Sequence, residues 1–301
     1  MNVREQGFLL LTSSLGNAER HPLTAAQLRN LAKRVQTMDP PTEDRELLRS
    51  DLLALGYSRE MSVRILELLG QEQELTYYLQ KAQRADCVPI TRVSREYPCG
   101  LRRLQLDAPG VLWAKGDLSI LCQPMISLVG SRDSHAENQR FAAEVGRQAA
   151  RQGYVLVSGN ARGADRIAQE SCLAAGGSVI VVAADSLVNK RKNERILYLC
   201  EDSFDFSFSA QRALSRNRVI HCLGNQVFVA QCAYQTGGTW SGVNKNLSAN
   251  WCPVFCFDDR SDACLTLAQM GAVAIGIDAL SDFSSLAISQ ESLFDWDETE
   301  D

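Results

Sequence analysis

Short runs of hydrophobic residues alternate with helical patterns along the second part of the chain. The runs are Ile126–Val129, Tyr154–Val157, Val179–Val182, Val227–Ala230 and Val254–Phe257, with Ala272–Ile275 as a sixth candidate. Continuous apolar runs are typical of strands buried on both faces, and helices between them connect such strands in parallel. The pattern predicts an α/β fold, a doubly wound Rossmann-like parallel sheet, whose ligands bind at the carboxyl ends of the strands.

A helical periodicity occupies residues 1–80 instead. Thr24 and Gln27 have the spacing of a capping box, in which each side chain binds the backbone N–H of the other residue. The helix that they introduce places three apolar side chains on one face, namely Leu28, Leu31 and Val35. We therefore expect an N-terminal helical domain over residues 1–80.

The other segments differ from this domain in composition. Residues 81–124 contain turn-forming pairs such as Pro109-Gly110, and we expect them to connect the helical domain to a core over residues 125–285. Residues 286–301 are an acidic tail. The chain carries 31 basic and 36 acidic side chains, but eight of the acids and none of the Lys or Arg residues follow position 277. The rest of the chain is therefore mildly basic, which permits local binding of phosphate groups.

Composition narrows the class of protein. With 301 residues, of which 45% are hydrophobic and 22% charged, the chain has the balance of a globular protein. No apolar run approaches the roughly 20 residues that span a bilayer, and the first residues lack the pattern of a signal peptide. We expect a cytoplasmic protein with no membrane partner. The ten cysteines are scattered along the chain, which predicts reduced thiols, and we predict no metal site and no cofactor.

Candidate binding residues follow the first two predicted strands. They are Gly130, Ser131 and Arg132 after the first strand, and Ser158, Gly159, Arg162 and Gly163 after the second. Glycines let a ligand approach the backbone, and hydroxyl and guanidinium groups bind phosphate oxygens. A helix follows each loop, and the N-terminus of a helix favours an anion. The two loops therefore predict a phosphate-binding site.

Further candidates flank the fourth predicted strand. Arg216, Asn217 and Arg218 precede this strand, and Gly237 and Gly238 follow it. We predict that they join the first two loops at one edge of the sheet. The chain has neither a Gly-x-Gly-x-x-Gly fingerprint nor a P-loop, which disfavours a conventional dinucleotide site and a P-loop ATPase. We assign no catalytic residue.

Together these loops resemble those of the DNA-processing protein A family, also called DprA or Smf, within the SMF/LOG Rossmann superfamily. The resemblance runs from about Pro89 to Phe283. It is carried, in order, by Ile90-Thr91, Tyr97 to Leu101, Pro109 to Gly116, Val129 to Arg132, Ser158 to Asp165, Arg216 to Ile220, Gly271 and Asp278 to Leu280. Residues 1–80 match the N-terminal helical domain of the family in position and length only.

The resemblance implies a function. Family members bind single-stranded DNA in a basic pocket of the Rossmann domain, form dimers and load the RecA recombinase during natural transformation. It thus implies a non-enzymatic recombination mediator whose partners are single-stranded DNA, a RecA-type recombinase and a second copy of the chain. The residues that it assigns to the DNA site are Arg132, Ser158, Gly159, Arg162, Arg216 and Arg218. Since single strands are held largely through phosphates, arginines at several strand ends suit this role.

Two other classes of function stay open on the sequence. The segment Thr236 to Thr239 resembles part of the signature of the LOG-type phosphoribohydrolases, which predicts a nucleotide-ligand sensor or such a hydrolase. Asn244 stands near the position of the hydrolase glutamate, so ligand sensing is favoured over catalysis. The third alternative is an interaction module that works through residues 1–80 and the acidic tail.

Overall fold

The computed structural model describes residues 1–38 and 46–286, so nearly all of the predicted acidic tail lies outside the described residues. The helices are α1 Val3–Thr12, α2 Ala25–Val35, α3 Arg49–Ala54, α4 Arg59–Leu69, α5 Glu72–Arg84, α6 Ala136–Arg151, α7 Ala164–Ala174, α8 Ala210–Leu223, α9 Gly237–Ala249 and α10 Asp262–Gln269. The strands are β1 Val88–Thr91, β2 Val111–Lys115, β3 Met125–Val129, β4 Val155–Ser158, β5 Val179–Val182, β6 Ile196–Glu201, β7 Val227–Val229, β8 Val254–Phe257 and β9 Val273–Ile275.

The strands form one nine-stranded sheet in the order β1-β2-β6-β5-β4-β3-β7-β8-β9. The pairs from β6 to β9 are parallel, whereas β1 pairs antiparallel with β2, and β2 pairs antiparallel with β6. From β3 the chain winds outward through β4 and β5 to β6, and then returns to β7 on the other side of β3. This confirms the predicted doubly wound sheet.

Both faces of the sheet are covered. Met125 and Val129 of β3 join a buried cluster with residues of α8, α9 and α10. Ile126 and Leu128 of the same strand point the other way and pack with residues of α6 and α7. Alternate residues of a strand face opposite sides, so a strand between two layers of helices is apolar throughout, as the sequence pattern predicts.

Three strands were absent from the sequence prediction. The segment 81–124, expected to be a connection, contributes β1 and β2 to the sheet, and β6 lies between the third and fourth predicted strands. All five residues of β2 are buried, including Lys115, whose Nζ donates to the backbone oxygens of Leu187 at 3.2 Å and Val188 at 3.0 Å. These two carbonyl oxygens replace water around the ammonium group of Lys115. A strand that ends in a charged residue can therefore be buried here.

The N-terminal helices pack against this antiparallel end of the sheet. Tyr78 of α5, Trp113 of β2 and Phe204 form a group of aromatic rings whose centroids lie 5.0 to 5.2 Å apart. The Tyr78 hydroxyl also donates to Oδ1 of Asp205 at 2.9 Å. These contacts hold α5 against the connection that leads from β6 into α8.

The starts of α2 and α6 differ in how they are capped. The capping box of α2 is confirmed, with Gln27 N–H donating to Thr24 Oγ1 at 3.2 Å and Thr24 N–H donating to Gln27 Oε1 at 3.0 Å. The N-cap of α6 is His135, whose side chain makes no capping hydrogen bond. Within the described ranges, no helix is both long and apolar enough to cross a membrane.

Candidate functional site

The carboxyl ends of β3 and β7 border a cleft of about 400 Å³. β3 and β7 are neighbours in the sheet, but the chain leaves them in opposite directions. At such a switch point the loops diverge and leave a crevice, which is where ligands bind in open α/β sheets. The cleft is closed at the side by α8 and at the end by the first turn of α9.

Seven of the twelve predicted binding residues line this cleft. They are Gly130, Ser131, Arg132, Arg216, Asn217, Gly237 and Gly238. They come from three separate stretches of the chain, the β3 loop, α8 and the start of α9. The structure thus brings these seven residues together at one cleft, whereas the other five predicted residues lie outside its lining.

Arg216 is the most unusual residue of the cleft. Its side chain projects from α8 and is only 8% exposed, yet the buried Nε and Nη1 have no hydrogen-bond partner among the described residues. Burial lowers the pKa of this guanidinium, and the nearby Asp165 opposes the shift. An arginine nevertheless keeps its charge in proteins, so the cleft holds a positive charge with unused donors.

Gly159 explains how this guanidinium reaches its place. A Cβ atom at position 159 would overlap the guanidinium of Arg216. The bare backbone of Gly159 therefore forms part of the wall against which the arginine lies. Here a glycine is needed for close approach rather than for a turn.

The start of α9 adds backbone donors to the same cleft. Its N-cap, Thr236, makes no capping hydrogen bond with its side chain, and α9 is 13 residues long. The Asn217 Nδ2 donates to the backbone oxygen of Gly238 at 3.1 Å, which fixes α8 beside this first turn. Free N–H groups at the N-terminus of a helix, beside an unpaired guanidinium, form a site for an anion such as a phosphate group.

Two further arginines near the cleft, Arg132 and Arg162, differ in whether they form an ion pair. Arg132 is exposed at the cleft, and no ion pair is found for it within residues 1–38 and 46–286. Arg162 pairs with Asp133 at 2.9 Å, but the side chains are 75% and 85% exposed. So exposed a pair contributes little and exchanges readily with solvent or a ligand. Arg162 lies outside the cleft lining, on the loop that borders it.

The remaining residues of the β4 loop support the cleft from behind. Ser158 is buried and accepts a hydrogen bond from Nε2 of Gln169. Gly163 has a φ of +88°, and a Cβ there would meet the backbone oxygens of Ser131 and Arg132. This glycine thus allows the β3 and β4 loops to lie against each other.

Arg218 points away from the cleft. Its Nη1 donates to Glu201 Oε1 at 3.1 Å and its Nη2 to Glu201 Oε2 at 2.5 Å. The same guanidinium donates to the backbone oxygens of Asp107 at 3.0 Å and Ser215 at 2.5 Å. Arg218 thus joins α8 to β6, and the structure does not bring it together with Arg216.

Sequence reasoning left out Asp165, the one carboxylate that lines the cleft in the part of the chain described. Asp165 accepts hydrogen bonds from the N–H groups of Gly159 at 3.2 Å and Ala161 at 3.1 Å, and so shapes the β4 loop. Burial raises its pKa, which the charge of Arg216 and these two N–H groups oppose. Its place in the first turn of the helix after the loop was the available signal.

Other chemistry finds less support. Asn244 lines an adjoining groove rather than the cleft. Among residues 1–38 and 46–286, no group of three or more His, Cys, Asp or Glu side chains is placed to hold a metal ion. The ten cysteines are free, and eight of them are buried.

Comparisons with known proteins bear on this site. A family model described as DNA recombination-mediator protein A matches residues 89–285. DNA processing protein DprA from Bacillus subtilis is 27% identical over 209 residues, which cover 65% of this chain and 69% of that protein. Its counterpart from Streptococcus pneumoniae is 31% identical over 207 residues, which cover 62% of this chain and 71% of that protein.

Solved structures are similar over more of the chain. The X-ray structure of DprA from Streptococcus pneumoniae matches with a TM-score of 0.72 and 25% identity, and covers 94% of this chain and 99% of that one. A structure concerned with the single-stranded DNA binding mode of DNA processing protein A from Helicobacter pylori matches with a TM-score of 0.57 and 25% identity. That match covers 68% of this chain and 96% of the other.

Proposed function

Because the chain belongs to the DNA recombination-mediator protein A family, as its sequence predicts, we propose that it binds single-stranded DNA in the cleft between β3 and β7. The DNA is held through its phosphates. The observation that carries the proposal is Arg216, a buried guanidinium with unpartnered Nε and Nη1 beside the start of α9. Burying a charge without a partner is costly, so the arrangement suits a protein whose partner arrives with the ligand.

Different residues of the cleft bind different phosphates of the strand. Arg216 and the first turn of α9 hold one phosphate at the bottom. Arg132, exposed at the rim, meets a neighbouring phosphate, and Arg162 does so after releasing Asp133. Ser131, at the same rim, adds a hydroxyl donor. Contacts to the phosphates carry no information on base sequence, so this part of the binding is independent of sequence.

The wider role that we propose is that of a recombination mediator. The protein delivers single-stranded DNA to a RecA-type recombinase in natural transformation, and it works as a homodimer without catalysing a reaction. The Helicobacter pylori relative, which is described with single-stranded DNA, supports the DNA part of this role.

Titration of a fluorescent oligonucleotide over a range of salt concentrations tests the proposal. The logarithm of the binding constant should fall with the logarithm of salt concentration with a slope of about −0.7 for each phosphate contacted. Arg216→Met should weaken binding about tenfold or more, the loss expected for one charge-assisted hydrogen-bonded contact. Its slope should be shallower by about 0.7.

The matched control is Arg140→Met, which removes the same charge from an exposed residue of α6 that pairs with Glu137. Absence of binding at low salt, or equal binding by the two variants, would overturn the proposal. A nucleoside monophosphate that binds more tightly than the oligonucleotide would favour the nucleotide sensor instead. Release of a free base from that monophosphate would identify a hydrolase.

The mediator role needs its own measurement. On single strands coated with a single-strand-binding protein, a RecA-type recombinase should form filaments faster when the present protein is added. The Arg216→Met variant should not accelerate filament formation. If the protein binds DNA and filament formation is unchanged, the mediator role is wrong and the DNA-binding role stands.

A further inference from the structure

Two cysteine side chains face each other between β8 and α10. Cys256 of β8 and Cys264 of α10 have their Sγ atoms 3.5 Å apart. Both belong to the buried cluster on this side of the sheet, and the two residues are 2% and 5% exposed. Since the sulfurs of a disulfide lie about 2.0 Å apart, a movement of about 1.5 Å would join them.

A short, braced turn brings the two thiols together. Residues 258–261 connect β8 to α10, and Arg260 among them has a left-handed φ of 57°. The carboxylate of Asp259 holds this turn. Its Oδ1 accepts the N–H of Ser261 at 3.0 Å, and its Oδ2 accepts Nδ2 of Asn138 on α6 at 2.8 Å. The separation of the two sulfurs is therefore set by a turn that is fixed to a neighbouring helix.

Cys264 stands in the first turn of α10, where a thiolate is favoured. Its backbone N–H donates to Oγ of the N-cap Ser261 at 3.2 Å. The dipole at the start of a helix stabilises a negative charge, and cysteines in such places are often reactive. The contact with the Cys256 thiol lowers the pKa of Cys264, which burial and two nearby aspartates oppose. The same contact and burial raise the pKa of Cys256, so Cys264 is the more acidic thiol of the pair.

We propose that Cys256 and Cys264 form a dithiol that a hydroperoxide converts into an intramolecular disulfide. Leu265, next to Cys264, is 53% exposed, so the first turn of α10 lies within reach of a small oxidant. The disulfide would tie α10 to β8 and so limit opening at this side of the sheet. DNA binding does not require this chemistry, and the proposal therefore stands apart from the proposed function.

The reaction balances with hydrogen peroxide as the oxidant. The Cys264 thiolate attacks one peroxide oxygen, the O–O bond breaks, and the leaving hydroxide takes up the proton that the thiol had released. Cys264 is then a sulfenic acid, which condenses with a thiol. Sγ of Cys256 attacks the sulfenic sulfur, the S–O bond breaks, and the hydroxide leaves as water with the proton of the Cys256 thiol. The two thiols have lost two electrons, and one peroxide has become two water molecules.

Peptide mapping of the full chain tests the proposal. The protein is treated with a small excess of hydrogen peroxide, its free thiols are alkylated in denaturant, and it is digested with trypsin. Arg260 lies between the two cysteines, so cleavage there places Cys256 and Cys264 on separate peptides. We expect these two peptides to be joined by a disulfide that dithiothreitol reverses. Fragmentation of the joined peptides distinguishes Cys256 from Cys252, which lies on the same peptide.

Variants identify the two sulfurs. All of them carry Cys99→Ser and Cys122→Ser, because these exposed cysteines would otherwise be oxidised too. With no further change, peroxide should remove two alkylated thiols, whereas Cys264→Ala should lose none. Cys256→Ala should instead leave a sulfenic acid on Cys264, which dimedone labels. The matched control is Cys172→Ala, at a buried cysteine of α7, which should form the disulfide as the parent does.

The parent chain gives the results that would overturn the proposal, so they do not depend on the folding of a variant. Its exposed Cys99 reports that peroxide has reacted. If Cys99 is oxidised while Cys256 and Cys264 are both alkylated, the two thiols make a packing contact only. Cys232 belongs to the same buried cluster, and a disulfide from Cys264 to Cys232 would also overturn the assignment.

Discussion

Arg218 donates hydrogen bonds to both carboxylate oxygens of Glu201. Arg216, two residues earlier on the same helix, has no hydrogen-bond partner for Nε and Nη1 in the described structure. Residues two apart on a helix point to opposite sides. The Arg-Asn-Arg sequence thus separates two tasks. Arg218 fixes α8 to the sheet, and Arg216 is held ready in the cleft.

This division predicts a loss of stability, rather than of DNA affinity, in Arg218→Met. Glu201 is 11% exposed and would be left as a buried charge without its partner. Removing one member of a buried pair costs about 3 to 5 kcal/mol. Urea denaturation should show a fall of about 3 kcal/mol in the free energy of unfolding. A variant that keeps its stability but loses DNA binding would place Arg218 in the DNA site after all.

Gly159→Ala should damage the cleft while the fold persists. The added methyl group would occupy the place of the Arg216 guanidinium and move it away from the start of α9. We expect single-strand affinity to fall roughly tenfold, as for loss of one charge-assisted contact. The control is Gly276→Ala, a position with open space for a Cβ. Equal affinity in the two variants would contradict the role given to Gly159.

An oligonucleotide should stabilise the protein through Arg216. At 100 times its dissociation constant, a ligand that binds only the folded state adds about 2.7 kcal/mol to the free energy of unfolding. Thermal unfolding with and without oligothymidine should show this gain as a higher Tm. Because Arg216→Met should bind about tenfold more weakly, the same concentration should add only about 1.4 kcal/mol to its free energy of unfolding. An equal rise in both proteins would mean that the strand binds elsewhere.

His221 should make stability fall in acid. Burial lowers its pKa from 6.5 to about 4, and its Nδ1 accepts a hydrogen bond from Asn246 Nδ2 at 3.1 Å. The amide orientation follows from Cys252 N–H, which donates to Asn246 Oδ1 at 3.0 Å. The unfolded chain takes up the His221 proton near pH 6.5 and the folded chain only near pH 4. Stability is therefore lost as the pH falls through this window.

The size of this effect follows from the shift in pKa. At 1.36 kcal/mol for each pKa unit, His221 should account for a loss of about 3 kcal/mol between pH 7 and pH 4. Urea denaturation at several pH values measures it. His221→Gln should have a flatter profile across this window. If the profiles of the parent and the variant are parallel, His221 is not the group responsible.

The sequence predicts the central strands well because their physical signal is local. A buried parallel strand is apolar at nearly every position. This holds for β3, β4, β5, β7 and β8, in which the small Ser127 and Ser158 are the polar exceptions. The bounds of these five strands lie within one residue of the predicted ranges. The antiparallel strands β1 and β2 escape this rule, since β2 ends in Lys115 and is flanked by turn residues. Its burial depends on carbonyl groups about 70 residues away, which no local pattern reveals.

The sequence predicts which residues belong to the candidate site better than it predicts how they are arranged. Glycines and arginines at strand ends indicate where a phosphate binds. Their directions depend on α8, which was not recognised as a helix through Arg216 and Arg218. Once the helix is known, the two arginines must diverge. The role of Gly159 becomes visible only when the position of the Arg216 guanidinium is known, and Arg216 lies 57 residues further along the chain.

The antiparallel pairing of β2 with β6 has a consequence for dissecting this protein. Without β2, the backbone of Ile196–Glu201 would become a bare sheet margin, and exposed margins of this kind recruit other chains into aggregates. Cutting before Met125 would create that margin and strip the cover from Phe204. Fragments intended to isolate the part of the chain that carries the cleft should therefore begin ahead of Val88.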